Sequence, residues 1–177
     1  IHVNKLIVLG TCQDGGYPQS GCIASCCLKV KNSSRLVSSI AVTNKNADQC
    51  WIFDASPDIK YQLNMLDKYM LKGDFPNISG IFLTHAHIGH YLGLLSLGLE
   101  VMNLRNVPVY AMPKMVQFIK DNAPFSQLVE KNNIILRVIN NDSIIHLDSG
   151  CTVSPFNVPH RNEFSETVGY SIKTNIS

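Results

Sequence analysis

The sequence has no marked excess of either charge, no long apolar run, no internal repeat and no low-complexity tract. Its 15 basic and 13 acidic side chains leave a net charge of +2. That is too little for an electrostatic footprint on nucleic acid or an anionic membrane surface, so neither is expected as a partner. No run approaches the roughly 18 apolar residues that a bilayer span needs. Six cysteines in 177 residues are too sparse for a disulfide scaffold, which is normally smaller and more densely bridged. The neighbouring Cys26 and Cys27 are also awkward to bridge to one partner. Reduced thiols follow, and with them a cytoplasmic protein. Because the chain begins at Ile1 rather than Met, export after removal of an upstream signal is the alternative.

With 45% hydrophobic and 16% charged residues, residues 1–177 are expected to form one globular domain with a substantial core. Lys5 to Gly10 reads as a buried strand, followed by a turn-rich loop, Thr11 to Gly21, with Asp14-Gly15-Gly16 and Pro18. Ala24 to Val30 and Ser38 to Thr43 have β character and suggest a hairpin across the polar segment Lys31 to Arg35. Gln49 to Ala55 reads as a strand that finishes on Asp54. Ser56, Pro57 and Asp58 then suit a helix start. That helix, with Ile59, Leu63, Leu66 and Met70 on its core face, runs to about Leu71 and ends at Gly73.

Farther along, Ile78 to Thr84 reads as a strand, His90 to Asn103 as a buried apolar helix and Val107 to Ala111 as a strand. Helices are expected from Pro113 to about Asn122 and, after the break at Pro124, through Val129. Ile134 to Ile139, Ser143 to Leu147, Thr152 to Val158 and Thr167 to Lys173 complete a set of β segments. The order favours an α/β fold with sheets in the core and helices outside.

Half of the six histidines fall within six residues, His85, His87 and His90, just after the strand that ends at Thr84. Neutral imidazole is a common ligand for zinc and iron. A regular helix would splay His85 and His87 by about 200°, so the two rings can share a side only on an extended or looped backbone. His160, in Val158-Pro159-His160-Arg161, lies at another strand end and is the natural distant partner for His85 and His87, although a lone histidine is more often structural. Arg161 and Glu163 follow it closely. They are candidates to orient a substrate carboxylate or a water, with a surface ion pair as the plain alternative. Cys22, Cys26 and Cys27 stand close enough in sequence for a structural zinc site with a fourth ligand from elsewhere, or for simple buried thiols. Cys12, Cys50 and Cys151 read as small buried hydrophobes, and His146 as a structural strand residue.

The segment Thr84-His85-Ala86-His87-Ile88-Gly89-His90 resembles the HxHxDH signature of the metallo-β-lactamase superfamily, with glycine in place of aspartate. Asp54 matches the superfamily's upstream aspartate, and His160 with Gly169-Tyr170 resembles its next histidine motif. Within the superfamily, HIGHY, GTCQDGGYPQSGC and VPHRNEF resemble the pyrroloquinoline-quinone biosynthesis protein B family, from residue 9 to about 172. The resemblance implies a metallo-β-lactamase-like αβ/βα sandwich of four layers, incomplete at its C-terminus relative to the family. It implies zinc or iron on His85, His87 and His160, with His90 as a second-metal ligand or site residue. Asp54 would brace the histidine loop. Cysteines after the GGxPQ loop also occur in that family, which favours the structural zinc. Glycine 89 supplies neither oxygen nor charge, so a second metal would be weak or differently held.

The resemblance implies a metal-dependent hydrolase or oxygenase acting on a small-molecule or peptide substrate. Its chemistry is hydrolysis by metal-activated water, or iron-dependent hydroxylation of a tyrosine in a precursor peptide. A non-catalytic carrier or accessory protein for a quinone cofactor is the alternative. A nuclease of the same superfamily is a third reading, disfavoured by the near-neutral charge.

Overall fold

The computed structural model describes residues 4–30, 34–71, 77–148 and 150–174. Six strands form the larger sheet in sequence order: β1 (Lys5–Gly10), β2 (Ser39–Thr43), β3 (Cys50–Phe53), β4 (Ile78–Phe82), β5 (Val107–Ala111) and β6 (Ile134–Val138). The first three run antiparallel, and β3 through β6 run parallel. Three antiparallel strands form the second sheet: β7 (Ile145–Asp148), β8 (Cys151–Asn157) and β9 (Val168–Thr174).

Side-chain alternation along the strands sorts the larger sheet into two faces. Ile52 and Ile81 join a core with Ile59, Leu63 and Leu66 of α2 (Ile59–Leu66), Met115 and Ile119 of α4 (Pro113–Asp121) and Leu128 of α5 (Phe125–Glu130). Trp51, Phe53 and Phe82 face the other way, onto Leu147, Cys151 and Val153 of the second sheet. Among the described residues the layers are therefore helix, sheet and sheet, three layers of the expected sandwich. Aromatic rings fill the seam between the sheets. Phe82 stacks on Phe53 and Tyr110 at 4.8 and 4.5 Å, and Tyr170 meets Phe53 and Phe82 edge-on.

Several elements differ from expectation. Ala24 to Val30 is not a strand. Ser25–Leu28 makes a single helical turn, α1, with Leu28 exposed, and Ile23 just before it is exposed too. Bridges from Cys12 to Val37 and from Tyr17 to Arg35 carry the β1–β2 pairing on into the loop after β1, so β2 has β1 and β3 on its two edges and no edge left for a hairpin with Ala24 to Val30. As an edge strand, β1 is buried on one face only: Ile7 and Leu9 are inside, Leu6 and Val8 outside. The helix after β3 starts later than predicted, at Ile59, and gives way to a 3-10 turn over Asp67–Tyr69. Ser56 Oγ accepts the Asp58 N–H at 3.1 Å, whereas the Asp58 carboxylate tethers Val37 N–H at 2.8 Å. The stop at Gly73 falls outside the described residues.

The long apolar helix from His90 is also absent. A one-turn helix, α3 (Ile88–Tyr91), passes into a 3-10 stretch over Leu92–Leu97. No helix among the described residues is long and apolar enough to cross a membrane.

Candidate metal centre

The site is built where β3 and β4 end, side by side and parallel. Asp54 follows β3 with φ of +64°, a left-handed conformation that Asp tolerates better than most residues. Its backbone N–H donates to Phe82 O at 2.8 Å, and this sets its buried carboxylate against the chain leaving β4. Asp54 Oδ1 accepts Thr84 N–H at 2.8 Å. Asp54 Oδ2 accepts the Thr84 hydroxyl at 2.8 Å and His90 Nδ1–H at 2.7 Å. The bracing role expected of Asp54 is thus visible as hydrogen bonds.

These bonds settle which ring nitrogens are free, and we assign the tautomers from them. The Thr84 hydroxyl, already donating to Asp54, accepts His85 Nδ1–H at 2.9 Å, so His85 Nε2 carries the lone pair. Glu163 Oε2 accepts His87 Nε2–H at 3.0 Å, which leaves the lone pair on His87 Nδ1. His85 Nε2 and His87 Nδ1 then face each other at 3.0 Å, lone pair to lone pair, and His160 Nε2 stands 3.2 Å from His87 Nδ1. Donors about 2.0–2.1 Å from one cation lie from about 2.9 Å apart at a right angle to about 3.4 Å at the tetrahedral angle. Both separations fall in that range, and among the described residues the three nitrogens are the one group of three or more such ligands, all within 4.8 Å of one another, that could hold an ion.

Protonation favours binding too. Burial, reinforced by the neighbouring His90, His87 and His160, pushes the His85 imidazole down to about 3. It is neutral, with its lone pair available, throughout the neutral range. Burial also pulls on His90, but the hydrogen bond and charge of Asp54, with Asp14, more than offset it and the net shift is upward. The His87 hydrogen bond holds Glu163 below the ordinary glutamate range.

The loop that bears His85 and His87 is clamped from the second sheet. Val168 N–H donates to Thr84 O at 3.1 Å, Ala86 N–H to Ser165 Oγ at 2.9 Å, and Tyr170 Oη–H to Leu83 O at 2.6 Å. A cavity of about 590 Å³ opens over the four histidines, with Asp14 and Arg161 also in its wall. Glu163 does not line it. It accepts from His87 and lies 3.6 Å from Arg161 Nε.

The cysteines do not gather. Cys26 is exposed on α1, Cys22 and Cys27 are half-buried, and among the described residues no cysteine joins a set of three metal-binding groups. Even with Cys26 and Cys27 on one helical turn, the three thiols form no such set, and the structure gives the proposed structural zinc no support. Cys50 and Cys151 are buried, as expected, whereas Cys12 is half-buried in the cavity wall. His146 lies exposed on β7.

Three participants escaped the sequence reading: Thr84, Ser165 and Asp14. Thr84 was visible only as the residue before the first histidine. Ser165 had no signal. Asp14 sat in the loop GTCQDGGYPQSGC, whose local chemistry is simply that of a turn. Its carboxylate Oδ1 is 3.4 Å from His90 Nε2.

Two sheets packed face to face, helices outside, and a three-histidine cluster at the strand ends define an α/β sandwich with a candidate metal centre. Residues 51–176 match the Beta-lactamase superfamily domain, and the chain belongs to that family. Within it the likeness is to coenzyme PQQ synthesis protein B. The protein of that name from Klebsiella pneumoniae is 37% identical over 100 residues, 51% of this chain and 31% of that protein. A ribonuclease Z from Rippkaea orientalis is 29% identical over 136 residues, 75% of this chain and 41% of the enzyme. The chain thus spans less than half the length of these two relatives. In three dimensions it matches Zn(2+)-bound PqqB from Methylobacterium extorquens with a TM-score of 0.79 at 24% identity, over 97% of this chain and 62% of that one. That last likeness is one of fold.

Proposed function

We propose that this chain is part of a metal-dependent enzyme of the protein B group, acting on a small-molecule or peptide substrate. The observation that carries this reading is the meeting of His85 Nε2, His87 Nδ1 and His160 Nε2, two of them with the opposite ring nitrogen engaged as a donor. A neutral three-imidazole set suits zinc or iron(II). Such an ion, when bound, acts as a Lewis acid and brings the pKa of a coordinated water toward neutrality.

The chain's own residues supply orientation. Thr84 and Glu163 fix the rings of His85 and His87, and Asp54 fixes Thr84. Arg161 in the cavity wall offers a cation to an anionic group of the substrate. The cavity volume falls in the range of small-molecule sites. A net charge of +2 argues against a polynucleotide substrate. Hydrolysis leads, and oxygen-dependent hydroxylation is the variant that iron would support.

The test is anaerobic purification with metal analysis, followed by ester, phosphodiester and oxygen-uptake assays in parallel. Bound metal and activity should disappear together in a His85→Ala, His87→Ala double variant. Full activity in metal-free protein would sink the proposal. Undiminished quinone binding in the double variant, without any turnover, favours the carrier alternative. Oxygen uptake by the iron-loaded form alone selects hydroxylation.

A further inference from the structure

Glycine 89 is where the resemblance expects an aspartate, and the space that a side chain there would fill is occupied. A Cβ built on Gly89 overlaps Asp14 Oδ1 and comes within 2.9 Å of Asp14 Cγ and 3.0 Å of Asp14 Cα. The carboxylate in that space comes from the loop after β1. Backbone hydrogen bonds hold the loop there: Thr11 and Cys12 N–H to Leu36 O, Ser38 N–H to Cys12 O, and both N–H···O bonds between Tyr17 and Arg35. Gly16, at φ of +71°, closes the turn, and its N–H donates to Gln13 O at 2.8 Å. Asp14 is therefore delivered by a braced loop.

His90 completes the pair. Its Nδ1–H is committed to Asp54, and the other ring nitrogen, Nε2, points at Asp14 Oδ1, 3.4 Å away. The distance is that of two donors on one cation at about the tetrahedral angle.

We propose that Asp14 replaces the aspartate missing at position 89 and, with His90, forms a second divalent-cation position beside the three-histidine centre. This rests on the reading of His85, His87 and His160 as a metal site. An oxygen and an imidazole nitrogen suit zinc, iron(II) or manganese(II). With two protein donors among the described residues and an open cavity face, the position is expected to bind more weakly than the three-histidine centre. The consequence for a substrate is a carboxylate–imidazole pair whose geometry depends on a loop remote in sequence from the histidine motif.

The test is titration of metal-free protein with Zn(II) by calorimetry, with Co(II) absorption as an independent readout. Wild type is expected to bind two equivalents, one tight and one weaker. Asp14→Asn, nearly isosteric, should weaken the second at least tenfold and leave the first within about twofold. Gly89→Ala should do the same by displacing Asp14. The swap Asp14→Ala with Gly89→Asp should restore the second equivalent, because the carboxylate returns to the same space from the histidine loop. Circular dichroism confirms that each variant is folded. Two unperturbed equivalents in Asp14→Asn would overturn the assignment, as would a single equivalent in wild type, which leaves the three-histidine reading standing. No bound metal in wild type would overturn both.

Discussion

Asp54 shows how much of the centre depends on one side chain. Its two oxygens accept from the Thr84 backbone, the Thr84 hydroxyl and His90, and the Thr84 hydroxyl then fixes the tautomer of His85. Asp54→Asn keeps the left-handed backbone comfortable, since Asn also tolerates that region, but it replaces one acceptor oxygen with a donor. Either Thr84 or His90 loses its partner. Metal affinity is expected to fall on the order of 10–100-fold, the usual cost of losing a hydrogen bond behind a ligand, with the melting behaviour of the metal-free protein much less affected. Competition with a chromophoric chelator measures it. A change below about threefold would mean that Asp54 only packs the loop. At this scale His85 and His87 were legible in the sequence because, two residues apart after a strand, their rings can share a side on an extended or looped backbone. Asp54 was legible through the superfamily pattern. Asp14 was not, because nothing in Asp-Gly-Gly separates a turn from a turn that carries a ligand.

Among the elements, the stretch after the histidine loop has the most to teach. Its apolar residues invited a helix from His90 to Asn103, yet the chain tightens into a 3-10 turn at Leu92–Leu97. The reason is a close backbone approach. Ala55 N–H donates to His90 O and Gly93 N–H to Ala55 O, both at 2.9 Å, so these groups bond across to the strand end instead of along a regular helix. A Cβ on Gly93 would collide with Ser56 O and lie 2.9 and 3.0 Å from Ala55 O and C, all of them backbone atoms that cannot swing aside. Gly93→Ala should therefore cost on the order of 1–3 kcal/mol. Denaturant titration should show a lower midpoint with an unchanged slope. A neutral result would mean that the two segments separate easily. Composition cannot show this element's form, because a distant loop decides where its N–H groups bond.

Across the whole molecule, the two sheets meet at the ring of Tyr170, which packs on Phe53 and Phe82 and donates its hydroxyl to Leu83 O. Burial pushes this phenol well above its ordinary range, so it remains a donor. Tyr170→Phe keeps the packing and removes the bond one residue before Thr84. The loss should be about 1–2 kcal/mol, a fall of about 2–8 °C in Tm for a chain of this size. The effect should extend to a weaker three-histidine centre, read by metal titration. Intact affinity at a lowered Tm would show that the second sheet stabilises the fold without positioning the histidine loop.

The sequence by itself determined the α/β class, the strands on either side of the histidine loop and the pairing of His85 with His87, through apolar runs, turn residues and ligand spacing. The sandwich and His160 as third ligand came with the superfamily resemblance that the same sequence carries. Tertiary structure alone decided that Ala24 to Val30 leaves the sheet, that the three cysteines form no set of metal-binding groups, and that Glu163 meets His87. It also turned the loss of a side chain at Gly89 into room for Asp14. Local chemistry cannot announce such pairings, because Asp14 and Gly89 become neighbours only when the loop after β1 folds across the end of β4.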